Sequence, residues 1–164
     1  MMRKLLLCCV LFSSVCIADS LTLQRWDTTS FSHLKQKYRQ HAFLLVIWSL
    51  DCPACFKEFT ALSRWKEQYP DSNLVLVSTD ASEMQDDVIG VLNEYGLNNA
   101  DVWIFSNENK ATLRNSIDTN WFGELPRSYF INIQQKTFSH SGALTSNQLS
   151  QWQRIISTVK TLSQ

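Results

Sequence analysis

The stretch AFLLVIWSLDCPACFKEF (residues 42–59) contains the features that decide the fold. Its first seven residues form a continuous apolar run of strand length, which predicts a strand covered on both faces. From Cys55 to Tyr69, apolar residues recur every three or four positions, which predicts a helix. The two cysteines therefore stand where a buried strand turns into a helix.

The spacing of these cysteines indicates redox chemistry. Pro53 suits the first position of a helix, where its missing N–H costs nothing. This places Cys52 at the helix cap, beside free backbone N–H groups and the positive end of the helix dipole, and both favour the thiolate. Cys55 lies one turn further on and is placed to form a disulfide with Cys52. A thiolate attacks a partner's disulfide, and the second sulfur resolves the mixed disulfide, so the pair predicts dithiol–disulfide exchange.

The rest of the chain alternates between strand and helix patterns. The predicted elements are a helix near 30–40, a strand over 73–79, a helix over 84–95 ended by Gly96, a strand over 102–105, a helix over 109–117, strands over 127–133 and 137–141, and a last helix capped by Thr145. This order predicts an α/β fold with a mixed central sheet and helices on both faces. The basic residues of the 24–40 stretch are interpreted as the solvated face of a helix.

The N-terminus has the pattern of a secretory signal peptide. Arg3 and Lys4 precede an apolar run over 5–15, and small residues precede a cleavage site after Ala18. An uncleaved anchor is the first alternative, but the apolar stretch is shorter than the roughly 20 residues of a spanning helix. A lipoprotein modified at Cys16 is the second.

Cleavage would divide the chain into a signal peptide (1–18) and one mature domain (19–164) of 146 residues, 164 minus 18. The domain would keep two of the five cysteines, Cys52 and Cys55, and a net charge of 13 minus 15, or −2. A disulfide that closes so short a loop removes little chain entropy from the unfolded state. Structural stabilisation is therefore a poor explanation for this cysteine pair. The charge argues against nucleic-acid binding. We expect a periplasmic or otherwise extracytoplasmic protein, with no stable membrane insertion of the mature domain.

The chain resembles the thioredoxin superfamily, and most closely its exported TlpA/ResA-like thiol–disulfide oxidoreductases. The strand ending at Trp48 and running into Cys-x-x-Cys is similar to the family's active-site entry, and Glu58 matches its usual acid. Residues 125–131 resemble its cis-proline strand, and residues 142–144 its last hairpin. The likeness extends over about residues 40–162.

The resemblance implies specific roles. Cys52 would be the attacking cysteine and Cys55 the resolving one, while Leu125 and a cis Pro126 would bind a substrate peptide as an added strand. It also implies protein thiol or disulfide substrates, a membrane electron donor and no cofactor. Relatives of this compact form mostly reduce disulfides, whereas exported oxidases carry a large helical insertion, so the resemblance favours a reductase.

One departure from the family lies directly before the first cysteine, where Asp51 stands in place of the frequent Trp. A carboxylate about 6–7 Å from Cys52 would disfavour its thiolate by roughly 1 kcal/mol at high effective dielectric. Lys57 or Arg127 could offset this cost.

Other departures concern the rest of the active-site helix. The dipeptide between the cysteines is Pro-Ala, whereas relatives place Pro before the second cysteine, which leaves the redox potential open. Val46 replaces the buried acid of thioredoxin, so proton transfer at Cys55 must use another group, water or the partner. Thr60 replaces a proline common in the helix.

The sequence leaves other functions open. In a metallochaperone of thioredoxin fold, Cys52 and Cys55 would bind copper, with His140 as a further ligand. A structural zinc site would need four ligands, and the mature chain has no second cysteine pair. A peroxidase and a binding module with inert cysteines are weaker alternatives.

Overall fold

The structure is a computed structural model that describes residues 23–162, with side chains described as far as residue 156. The predicted signal peptide (1–18) lies outside the described residues. The strands are β1 (Gln24–Trp26), β2 (Phe43–Trp48), β3 (Asn73–Ser78), β4 (Asp101–Phe105), β5 (Arg127–Ile131) and β6 (Thr137–Ser141). The helices are α1 (Ser30–Lys37), α2 (Pro53–Gln68), α3 (Gln85–Glu94), α4 (Lys110–Ile117) and α5 (Ser146–Leu162), with a 3-10 turn at Ser82–Met84.

The described strands form one mixed sheet in the order β1-β4-β3-β2-β5-β6. Strands β1 to β4 are parallel, whereas β5 pairs antiparallel with both β2 and β6. The parallel connections require helical crossovers, and right-handed crossovers place α2 and α3 on one face and α1 on the other. The predicted fold class, a mixed sheet with helices on both faces, is confirmed.

The sheet separates two apolar cores. Alternate residues of β2 point to opposite faces, so Leu44, Val46 and Trp48 face α2, α3 and α5. The intervening side chains of β2 face α1 and α4. Every residue of β2 is fully buried, as the continuous apolar run predicted. The central strand that leads into the cysteines is therefore covered by apolar side chains on both faces.

One element was not predicted: the edge strand β1, in the stretch interpreted as the solvated face of a helix. Gln24 to Trp26 pair with Trp103 to Phe105 of β4, and the Gln24 amide donates to Asp101 at 2.7 Å. Helix α1 begins only at Ser30. Three residues are too few to show a period, and a partner far along the chain specifies this strand.

No helix among the described residues is long and apolar enough to cross a membrane.

Candidate active site

The cysteine pair lies at the carboxyl edge of the sheet, where β2 leads into α2. Cys52 is the N-cap of α2 with extended backbone angles, and Pro53 occupies the first turn, as the sequence predicted. Cys52 and Cys55 form a disulfide with a Cα–Cα distance of 5.3 Å. The Cys55 N–H donates to the Cys52 carbonyl oxygen at 3.0 Å and lies 3.2 Å from the Cys52 Sγ. The first sulfur thus lies close to one N–H group of the first helical turn.

The two cysteines differ in their access to solvent. Cys55 is completely buried, whereas Cys52 retains 7% of its surface. Both pack with the apolar core beneath α2. A partner can therefore approach this disulfide only from the side of Cys52.

The turn over residues 49–51, which leads into the cap, is anchored to the end of β3. Asp80 Oδ2 accepts from the Leu50 N–H at 3.0 Å and from the Ser78 hydroxyl at 2.6 Å. The Thr79 N–H donates to the Trp48 carbonyl oxygen at 2.9 Å. These bonds fix the backbone just before Cys52, although neither Asp80 nor Thr79 stood out in the sequence.

Glu58, the acid singled out by the family resemblance, is a fully buried carboxyl on the cysteine helix. It lies one turn after Cys55, on the helix face that also buries Phe59 and Leu62. Oε1 accepts from the Leu144 N–H at 3.1 Å and from the Ser128 hydroxyl at 3.3 Å. Burial raises the pKa of Glu58 to about 7, although these two bonds oppose the rise. An acid that titrates near neutrality therefore stands beside the buried cysteine, and Val46 remains apolar and buried.

Residues 125–126 lie at the same edge of the sheet as the cysteines. The ladder between β2 and β5 ends at the pair Ile47–Arg127, so continuing its register places Pro126 level with Trp48. The Leu125–Pro126 peptide bond is cis. The Pro126 carbonyl oxygen accepts from the Gly142 N–H at 2.9 Å. Leu125 is half-buried and packs against both cores.

Arg127 is not available to offset the charge of Asp51. Side chains alternate along β5, and Arg127 points with Tyr129 to the sheet face opposite α2. Its guanidinium forms ion pairs with Asp118 at 2.9 Å and Glu124 at 3.3 Å, and only 8% of the residue is exposed. Arg127 therefore ties the segment before Leu125 to β5. Of the two bases suggested by the sequence, only the exposed Lys57 on α2 remains.

The carboxylates in this network are stabilised in their charged form. Burial alone would raise the pKa of Asp118, but hydrogen bonds from the Asn120 N–H, Arg127 and Tyr129 hold it below 3.8. The pKa of Glu124 is likewise lowered, against burial, by bonds that include one from the Ser141 hydroxyl. The ion pairs are thus fully charged at neutral pH.

The three copper ligands suggested by the sequence are not grouped among the residues that the structure describes. Within residues 23–162, no three or more His, Cys, Asp and Glu side chains are grouped closely enough to hold a metal ion. His140 lies on β6, directly opposite Ser128 of β5, and does not join the cysteines in such a group.

The fold is that of thioredoxin-like proteins. A secreted disulfide oxidoreductase of Mycobacterium tuberculosis, described as homologous to E. coli DsbE, superposes with a TM-score of 0.56 at 17% identity, covering 71% of this chain and 83% of the other. StoA from Bacillus subtilis gives 0.52 at 21% identity, covering 70% and 83%, and a thioredoxin-related protein from Neisseria meningitidis serogroup B gives 0.60 at 17% identity, covering 75% and 90%. No family model and no curated protein sequence matches the chain. At these identities the likeness shows the fold, and it confirms the thioredoxin-like fold implied by the sequence resemblance.

Proposed function

We propose that this chain is an exported thiol–disulfide oxidoreductase that reduces disulfides of protein partners through Cys52 and Cys55. The observation that carries the proposal is the Cys52–Cys55 disulfide at the N-terminus of α2, where a helix end favours the thiolate of the first cysteine. The export rests on the signal-peptide pattern of residues 1–18.

The reaction begins with the reduced protein. The Cys52 thiolate attacks one sulfur of the partner's disulfide, the partner's S–S bond breaks, and its other sulfur leaves as a thiolate. Cys55 then loses its proton and attacks the Cys52 sulfur, so that the Cys52–Cys55 disulfide forms and the partner's second sulfur leaves as a thiolate. The partner gains two electrons, and the protein loses two.

Glu58 is suited to take the proton from Cys55. Both groups are buried on the same face of α2, and the pKa of Glu58 near 7 lets the carboxyl accept or return a proton at neutral pH. We assign this role to Glu58 because Val46 provides no acid on the neighbouring strand.

Leu125 and Pro126 form the proposed binding site for the partner's backbone. They lie beyond the last residue pair of the β2–β5 ladder and at the same sheet edge as Cys52. Proline has no N–H to continue the ladder. An extended partner segment would pair with the backbone of Leu125 and bring its own disulfide to Cys52.

The proposed direction is reduction, with a membrane protein as the electron donor. The described residues place the 3-10 turn and α3 between β3 and β4, and α4 between β4 and β5, so they contain no large helical insertion of the kind that exported oxidases carry. This compact form supports a reductase.

A redox titration and a trapping experiment test the proposal. Equilibration of residues 19–164 with glutathione should give a reduction potential near that of thioredoxin, roughly −270 mV. A value near −120 mV would overturn the direction. The Cys55→Ser variant should accumulate mixed disulfides with partner proteins in the exporting cell, whereas Cys52→Ser should accumulate none. If the two variants trap equally, the assigned roles are wrong.

A further inference from the structure

The carboxyl of Glu58 is held asymmetrically. Two hydrogen bonds, from the Ser128 hydroxyl and the Leu144 N–H, end on Oε1. Oε2 is buried and has no hydrogen-bond partner among the residues that the structure describes. A carboxylic acid carries its proton on one oxygen, and the oxygen that already accepts two hydrogen bonds is the less favourable one. The surroundings therefore leave Oε2 as the oxygen that takes the proton.

The two donors belong to the segments that surround the proposed peptide-binding residues. Ser128 lies on β5, two residues after Pro126, and its side chain points to the α2 face because side chains alternate along the strand. Leu144 lies in the turn after β6, and Gly142 of the same turn donates to the Pro126 carbonyl oxygen at 2.9 Å. The acid on the cysteine helix is thus connected to the proline segment by a side chain and by a turn.

We propose that Ser128 is a positioning residue for Glu58: with the Leu144 N–H, its hydroxyl holds Oε1, so that Oε2 exchanges the proton with Cys55. This inference rests on the proposed function, in which Cys55 must lose a proton to attack Cys52. When Cys55 gives up its proton to attack Cys52, Oε2 gains it, and the partner's leaving thiolate or solvent water then takes the proton from Glu58. In the ionised carboxylate, Ser128 and Leu144 stabilise the negative charge.

The Ser128 contact is longer than a usual hydrogen bond between two oxygens. At 3.3 Å it exceeds the 2.5–3.0 Å usual between hydroxyl and acceptor oxygens. Hydrogen bonds to an ionised carboxylate are shorter than those to a neutral acid. We therefore expect the contact to shorten when Glu58 loses its proton, so that Ser128 favours the charged form of the acid.

Few titratable groups near Glu58 could contribute to a pH dependence measured at this carboxyl. On α2 the titratable neighbour is Cys55, and on β6 it is His140, which lies opposite Ser128. Leu149 and Trp152, the α5 residues of the same core, are apolar. The causes that act on the pKa of Glu58 are burial and the two hydrogen bonds, with no charged side chain among them.

The test is an NMR titration of the Glu58 carboxyl in the oxidised protein, where neither cysteine titrates. Ser128→Ala should raise the pKa of Glu58 by about half a unit, since it removes one hydrogen bond to the charged form. Ser128→Thr, which restores a hydroxyl, should return the pKa toward the wild-type value. Ser30→Ala is the matched control, because Ser30 is also a buried serine bonded to a carboxylate, that of Asp27, and it should leave Glu58 unchanged.

A kinetic measurement links the titration to the reaction. The rate at which Cys55 releases glutathione from a mixed disulfide on Cys52 should depend on pH, and Ser128→Ala should raise the midpoint of that dependence as it raises the pKa of Glu58. In the Glu58→Gln background, Ser128→Ala should have no such effect. An equal effect with and without the Glu58 carboxyl would overturn the inference.

The wild-type protein provides a measurement that needs no variant. The amide resonances of Ser128 and Leu144 should follow the midpoint of the Glu58 carboxyl between pH 5 and 8. Flat resonances, or an unchanged Glu58 pKa in a folded Ser128→Ala protein, would refute the positioning role. Because these titrations need no redox partner, a failure of the proposed function would be seen separately, as an absence of exchange between Cys52 and disulfides.

Discussion

The buried carboxyl of Glu58 should make the stability of this protein depend on pH in a direction opposite to that of a salt-bridged acid. Its pKa rises from an ordinary 4.5 to about 7 on folding. Between these values the folded state binds more protons than the unfolded state, so the free energy of unfolding falls as the pH rises. The difference corresponds to about 3 kcal/mol, fully present below pH 4.5 and lost above pH 7.

The perturbation is Glu58→Gln, which keeps the size and one acceptor oxygen of the side chain but cannot titrate. The measurement is urea unfolding of the oxidised protein between pH 4.5 and 8, followed by tryptophan fluorescence. The free energy of the wild type minus that of Glu58→Gln should fall by about 3 kcal/mol over this range. Groups that titrate equally in both proteins cancel in the difference.

The control is Glu67→Gln, which changes an exposed glutamate on the same helix. Glu67→Gln should not reproduce the fall of about 3 kcal/mol. If the profiles of wild type and Glu58→Gln run parallel, Glu58 is ionised alike in the folded and unfolded states, and the reasoning from its burial is refuted.

Four further predictions concern stability and thiol reactivity. Gly90→Ala should raise the free energy of unfolding by about 0.5–1 kcal/mol, because Gly90 lies inside α3 with no heavy atom within 4 Å of an added Cβ. Gly96→Ala should lower the free energy of unfolding by about 1 kcal/mol, because Gly96 follows the helix with a φ of +66°. Changes of the same sign in urea unfolding would contradict these two predictions. Arg127→Leu should lower the free energy of unfolding by about 2 kcal/mol, because the half-buried Asp118 and the exposed Glu124 lose their ion pairs with the buried guanidinium, and an unchanged urea midpoint would refute the stabilising role. Asp51→Asn should increase the thiolate fraction of Cys52 in the reduced protein, by less than tenfold, and alkylation rates that coincide with the wild type at every pH would show that Asp51 has no influence on Cys52.

Parts of the candidate site could be predicted from local sequence because they depend on neighbours along the chain. The cap at Cys52 follows from Pro53 and from the change of apolar period at that point. The burial of Glu58 could also be predicted, because the residue lies on the apolar stripe of α2 between Cys55 and Leu62. That stripe shows which side chain turns inward, but not what it meets there.

The partners of these residues could not be predicted locally. Glu58 bonds to Ser128 and Leu144, which lie 70 and 86 positions away. Arg127 was a candidate neighbour of the cysteine site, yet the alternation of β5 sends it to the opposite face. A register one residue different would have reversed that outcome, since each shift moves every side chain of a strand to the other face.

Most elements could be read from local sequence: a buried strand, a helix opened by two cysteines, and an apolar period for each later helix. Periodicity and capping residues act within a few positions, so they are legible without the fold. The contacts between distant segments depend on the folded arrangement. Residues 24–26 form an edge strand because they pair with β4, and Arg127 forms ion pairs with Asp118 and Glu124. Glu58 accepts hydrogen bonds from Ser128 and Leu144, which lie near the proline in the fold. These contacts join distant parts of the chain, and the packing of the helices on the sheet selects them.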